Sequence, residues 1–208
     1  MADILETENY RLYEPLSINY NSKNKSSYSE EVRKTFSHQL GGNVNPYPMP
    51  ILFPIVHDNF VIILDEELSF NRYRKKTFNS ALYDNFKGLN KGQYQRYCRI
   101  YEYNCLKVGL KQGVWNNDKA EQLFGIPAEP GDFFANGSPG WKLIAFQHYL
   151  QDVYAMEKEW NIIRVSIYDN ILLDGQLQPL GKLLETGQEK NNKSIFNFLK
   201  HKMNLPNQ

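Results

Sequence analysis

The sequence predicts an α/β domain built on a small central mixed sheet flanked by helices, and three observations carry that reading. Two apolar runs rich in β-branched residues, Ile51 to Val56 and Phe60 to Leu64, flank His57-Asp58-Asn59, which reads as a hairpin. A third run, Trp160 to Tyr168, alternates Arg164 and Ser166 with Ile163, Val165 and Ile167, as a strand does. The segments around these runs carry apolar residues at helical spacing, and strands interleaved with helices give a mixed α/β core.

Residues 1 to 27 are polar and rich in Asn and Ser toward residue 27, and read as a mobile arm ahead of a single domain over 28–208. A helix is predicted from about 28 to 40. Ser27 or Ser29 caps it, Glu30 and Glu31 occupy the first turn, Val32, Phe36 and Leu40 form its stripe, and Gly41-Gly42 end it. The almost wholly apolar Phe60–Leu64 run reads as a strand buried on both faces, so Asp65-Glu66-Glu67 emerges from the end of a central strand. Residues 77 to 112 read as two helices broken at 87–92, and 113 to 140 as a long irregular segment of the kind that is often functional. Ser138-Pro139 starts a strong helix over 139–157, and a last helix covers 191 to 202.

With 208 residues, 41% of them hydrophobic and 14% aromatic, the chain has the material for one large core. Lys plus Arg number 24 against 23 acidic residues, a net charge of +1, so any contact with DNA or RNA must come from a local patch. The N-terminus is acidic and mixed, and no run approaches the ~20 apolar residues of a membrane span, which gives the expectation of a cytoplasmic protein without a membrane partner. Cys98 and Cys105 form neither a redox pair nor a zinc set, and read as buried thiols. His38, His57, His148 and His201 show no metal spacing, and P-loop, dinucleotide and nucleophile-elbow motifs are absent.

Chemistry concentrates near residue 65. On a continuing strand Asp65 and Glu67 would share one face and could hold a hard divalent cation through oxygen ligands, although salt bridges to Arg72 and Arg74 are the plainer use of these carboxylates. Arg72, Arg74, Lys75 and Lys76 form a cationic run suited to phosphate oxygens or to an exposed face. On the 139–157 helix, Lys142 heads the stripe of Phe146, Tyr149 and Val153, while His148, Gln151 and Asp152 form the predicted solvent face. Lys142 could then orient a water or stabilise a phosphorane-like charge, or lay its stem over Trp141 and Phe146. Glu30 is placed to reach the same site, and Arg164 either faces a groove as a phosphate contact or pairs with Asp65 or Asp169.

Three segments in order, Ser29-Glu30-Glu31-Val32-Arg33, Leu64-Asp65-Glu66 and Trp160-Asn161-Ile162-Ile163-Arg164-Val165, resemble the very-short-patch-repair branch of the PD-(D/E)XK nuclease superfamily. The resemblance covers roughly residues 28–76 and 139–169. It implies a restriction-endonuclease-like fold and a magnesium-dependent nuclease acting on DNA or RNA, with Asp65 and Glu67 as metal ligands and Glu30 and Lys142 as further catalytic residues. The chain departs from the pattern where Pro50 is followed by Ile51 and Leu52 rather than Asp, and where no Glu-x-Lys triplet follows. The alternative expectation is therefore a catalytically silent module that binds nucleic acid or a partner protein. Leu64 to Arg74 and Gly137 to Phe146 also resemble segments of uncharacterised bacterial proteins, a likeness that supplies no activity.

Overall fold

The computed structural model describes residues 1–21, 28–58 and 60–204. Helix α1 (Ala2–Thr7) and strand β1 (Leu16–Tyr20) come first, and α2 (Ser29–Lys34) continues into a π-helical turn over Thr35–Gln39. Strands β2 (Met49–Phe53), β3 (Ile55–Val56) and β4 (Phe60–Asp65) precede five helices: α3 (Arg72–Thr77), α4 (Lys91–Ile100), α5 (Glu102–Lys111), α6 (Asp118–Phe124) and α7 (Pro139–Glu157). The chain closes with β5 (Asn161–Ser166), the hairpin β6–β7 (Asn170–Leu173, Gln176–Pro179), α8 (Leu180–Thr186) and α9 (Glu189–Asn204).

The central sheet is mixed, in the order β3-β4-β5, with β3 antiparallel and β5 parallel to β4. A parallel neighbour requires a long crossover, and α3 to α7 supply it. Both faces of β4 are covered, as its apolar run predicts. Val61 and Ile63 pack with Phe70, Trp141 and Phe146, whereas Ile62 joins Ile163 and Val165 against Leu5, Leu180 and Leu199. Helices therefore flank the sheet on two sides, the α/β arrangement expected from the sequence.

Within this frame several elements differ from expectation. Pro54 separates the Ile51–Val56 run into two strands: β2 pairs with β1 in a second sheet and only Ile55–Val56 pairs with β4. Residues 1–21 are consequently part of the fold rather than an arm, with Leu5 at 0% exposure and Tyr20 at 4%. Residues 22–27, including the expected cap Ser27, and the hairpin residue Asn59 lie outside the described residues. Tyr28 takes the cap position of α2 and makes no side-chain cap bond. The helix ends at Gly41-Gly42 as expected, with Gly41 in the left-handed region at φ 74°. The break expected at 87–92 precedes α4, and a second falls at Tyr101.

Helix α7 matches its expected bounds, and Ser138 Oγ accepts the Trp141 N–H at 3.2 Å. Gly140 lets its first turn press on the chain at Val114, since a Cβ there would lie 2.1 Å from the Val114 carbonyl oxygen. Trp141, Phe146, Tyr149 and Val153 are fully buried, but so is Asp152, at 0% exposure, and Gln151 is 7% exposed. The solvent face expected for α7 is thus corrected: a helix that is apolar nearly all round sits in a core.

Cys98 and Cys105 are buried free thiols. Burial pushes the Cys98 thiol up to about 12 and raises Cys105 as well. Because the thiolate is the reactive form, neither cysteine should react with a disulfide reagent in the folded protein, and both should react after unfolding in guanidinium. Rapid labelling under native conditions would show that the packing around α4 and α5 is wrong.

Candidate functional site

The register of β4 and β5 sets Ile63 opposite Arg164 and Asp65 opposite Ser166. Arg164 and Asp65 therefore stand on one face of the sheet as diagonal neighbours beneath α7. Arg164 Nη1 donates to Asp65 Oδ1 at 2.7 Å and its Nε to Asp152 Oδ1 at 2.6 Å, while Nη2 reaches the His148 carbonyl and Gln151 Oε1. From α3, Arg74 Nη2 donates to Asp152 Oδ2 at 2.8 Å and Nη1 to the Tyr83 hydroxyl. The Tyr83 hydroxyl donates to Asp152 Oδ2 at 2.5 Å, and the Tyr94 hydroxyl to Asp65 Oδ2 at 3.0 Å. Two cations and two carboxylates, each at most 1% exposed, thus form one neutral set.

The electrostatics follow from this pairing. Burial opposes the Arg74 and Arg164 charges, yet the surrounding carboxylates, joined at Arg74 by Tyr83, outweigh it and leave both pKa values raised. Burial, then the Asp65 charge, holds the Tyr94 phenol well above its ordinary range. His148 Nδ1 lies 3.7 Å from Asp65 Oδ1, but burial and the Arg164 and Arg74 charges push its pKa well below the usual value. At neutral pH the imidazole is therefore uncharged, and this contact is no ion pair.

The remaining predicted site residues do not assemble around Asp65. The strand ends at Asp65, so Glu67 lies on a 3₁₀ turn over Glu67–Ser69 instead of sharing the Asp65 face. Lys142 sits six to ten residues along α7 from the positions that meet Asp65 and Arg164, roughly 9–15 Å at 1.5 Å per residue. Glu30 is exposed on the first turn of α2. Arg74 and Arg164 are sealed and fully paired, which corrects their expected role as phosphate contacts. Arg72 is also engaged, donating through Nε and Nη2 to Glu102 at 2.9 and 2.8 Å with its guanidinium carbon 3.5 Å from the Phe133 ring centre. Of the cationic run, Lys75 and Lys76 stand exposed.

These positions do not fit a magnesium ion between Asp65 and Glu67. Both Asp65 oxygens accept hydrogen bonds, and a divalent cation would have to displace a buried guanidinium. Among the described residues no group of three or more His, Cys, Asp or Glu side chains is placed to hold a metal.

A second place stands out at the start of α7. Lys142 is 6% exposed, and among the described residues its ammonium has no hydrogen-bond or carboxylate partner. Its Nζ lies 5.5 Å from the Tyr73 ring centre and 5.7 Å from that of Phe124, and a Cβ on Gly41 would stand 3.7 Å away. Lys76 Nζ lies 5.6 Å from the same Tyr73 ring. Burial lowers the Lys142 pKa, and the Lys76 charge lowers it further. Two ammonium groups therefore share one ring with no counter-charge in contact among the described residues, an arrangement that an anion would relieve. The inward phase of Lys142 was readable from its spacing. Its neighbourhood was not, because Tyr73, Lys76, Phe124 and Gly41 come from three distant segments.

No helix among the described residues is long and apolar enough to cross a membrane. No curated protein and no solved structure matches this chain. One family model matches residues 35–186, a span that takes in the buried ionic set together with Lys76, Phe124 and Lys142. The chain belongs to that family, described as a family of unknown function (DUF7255).

Proposed function

We propose that this protein is a nucleic-acid-binding module that holds a backbone phosphate on Lys142 and Lys76 without hydrolysing it. The observation that carries the reading is the partly sequestered Lys142 ammonium, unpaired among the described residues, beside a second lysine. An overall charge of +1 gives no general attraction to polyanions, so a local cationic niche must supply it. Phosphate oxygens would complete both ammonium groups through charge-assisted hydrogen bonds. Aromatic walls at Tyr73 and Phe124 lower the local dielectric and strengthen such contacts. The lack of hydrolysis is inferred from Asp65, whose oxygens are committed to Arg164 and Tyr94. On this reading the likeness to PD-(D/E)XK nucleases is one of scaffold without the metal chemistry.

The test is fluorescence anisotropy with labelled DNA and RNA at graded salt, beside incubation of the same strands with magnesium or manganese. Lys142→Met and Lys76→Met should each weaken binding about tenfold and lower the salt slope by about one contact, without altering the fold. Equal affinity and equal salt slope in wild type and Lys142→Met would remove the proposal. Metal-dependent cleavage that vanishes in Asp65→Asn, with the variant still folded, would replace it with the hydrolytic reading.

A further inference from the structure

Beside the lysine niche lies a cleft of ≈ 630 Å³, between the helix that starts at Ser29 and the segment 42–47. This volume falls within the range of small-molecule sites. Phe36, Val44, Pro46 and Tyr47 give it apolar walls, and Glu30 and Arg33 stand one helical turn apart on its rim. Val44 is 49% exposed, an apolar side chain left uncovered where the cleft opens. Among the described residues the Arg33 guanidinium makes no ion pair, including none with Glu30.

The cleft and the niche are neighbours through one dipeptide. Gly42 lines the cleft, and Gly41 lies against the Lys142 ammonium. They are joined a second time through aromatic rings, since Phe36 of the cleft is 5.3 Å from Phe124, whose ring faces Lys142. A ligand spanning both places needs a flat apolar body with a polar edge, attached to an anion. Glu30 can accept from an exocyclic amino group, and Arg33 can donate to a ring nitrogen or carbonyl.

We infer that the cleft receives an unstacked nucleobase while the adjoining phosphate rests on Lys142 and Lys76, so that the protein selects single strands over duplex. This inference rests on the phosphate reading above and adds the form of the strand. In a duplex the bases are stacked and paired, and their faces cannot enter an apolar cleft. A single strand can splay one out onto aromatic side chains.

The experiment compares four probes of equal length: oligo(dC), oligo(rC), the corresponding duplex, and an abasic phosphodiester strand that keeps the phosphates without the bases. Both base-bearing single strands should bind at least about tenfold tighter than the abasic strand and the duplex. Val44→Glu, at an exposed position that the fold tolerates, should bring them down to the abasic level while leaving abasic binding in place. A single strand carrying 5-iodouracil should cross-link on irradiation to the peptide that contains Tyr47. Equal affinity for base-bearing and abasic strands, or cross-links confined to other segments such as the one holding exposed Phe134, would overturn the inference and leave the phosphate reading intact. Failure of every probe to bind would overturn the phosphate reading itself, and this inference with it.

Discussion

Replacing Asp152 by Ala is expected to cost about 3–5 kcal/mol of folding stability, a loss that takes much of the stability of an ordinary domain. Asp152 accepts from Arg74, Arg164 and Tyr83 at the same time, with no exposure to water. Its removal leaves Arg74 without a carboxylate and strips Arg164 of one of two, inside a core that cannot solvate them. Chemical unfolding followed by circular dichroism measures the effect, and a change below about 1 kcal/mol would mean that the buried set contributes little. Asp65→Ala should act in the same direction through Arg164 and Tyr94, by a smaller amount, since Arg164 keeps Asp152. A loss of any activity in Asp65→Ala must therefore be read at a fixed folded fraction before it is assigned to chemistry.

Stability is also expected to fall steeply as pH rises above about 10, by about 1.4 kcal/mol per pH unit for each fully buried phenol. The pKa values of Tyr20, Tyr73, Tyr97, Tyr149 and Tyr168 are raised, and Tyr83 and Tyr94, raised in the same direction, are the most deeply buried of the phenols that contribute. Burial raises both phenols well above their ordinary value, with the Asp152 charge raising Tyr83 further and Asp65 raising Tyr94. In the unfolded chain these groups release their protons near pH 10, whereas the folded chain holds them. Above that pH the unfolded state thus binds fewer protons, and the free energy of unfolding decreases with pH. Their stabilising contribution is complete below the unfolded pKa and is lost on the way up to the folded one. Denaturant midpoints across this range, with tyrosinate absorbance recorded in parallel, should show a shallower slope in Tyr94→Phe. A midpoint independent of pH up to about 11 would contradict the burial of these hydroxyls.

How far the sequence announces this molecule can be judged from α7. Its cap at Ser138, its proline start and its length are local signals, and all three are present in the fold. The inward direction of Lys142 follows from the spacing of Phe146, Tyr149 and Val153. Asp152 was assigned to solvent by the same arithmetic, because a helical projection separates faces only when one of them is wet. The signal that could have found it is the scarcity of charge between Trp141 and Ala155: a lone carboxylate on a helix apolar nearly all round must have a buried cation as its partner. Arg164 was such a cation, and the strand pattern left open whether it faced a groove or paired with Asp65 or Asp169. The pairing of β1 with β2 had no local signature, since it joins residues about thirty or more apart with a proline inside the ladder at Pro50. The lysine niche is similarly a product of tertiary structure.

The π-helical turn over Thr35–Gln39 can be understood as a spacer. A π turn accommodates one residue more than an α turn, and each residue in a helix corresponds to about 100° of rotation. Deleting one residue between Ser37 and Gln39 would let the turn relax to α geometry with Gly41 and Gly42 still in phase with Val32, whereas α geometry with every residue kept would swing the dipeptide by that angle. Phe36 would stay with the core, but the dipeptide would no longer stand between the cleft and Lys142. The wider turn, whose Phe36 and Ser37 line the cleft, thus sets the phase between that cleft and the dipeptide that lies against Lys142.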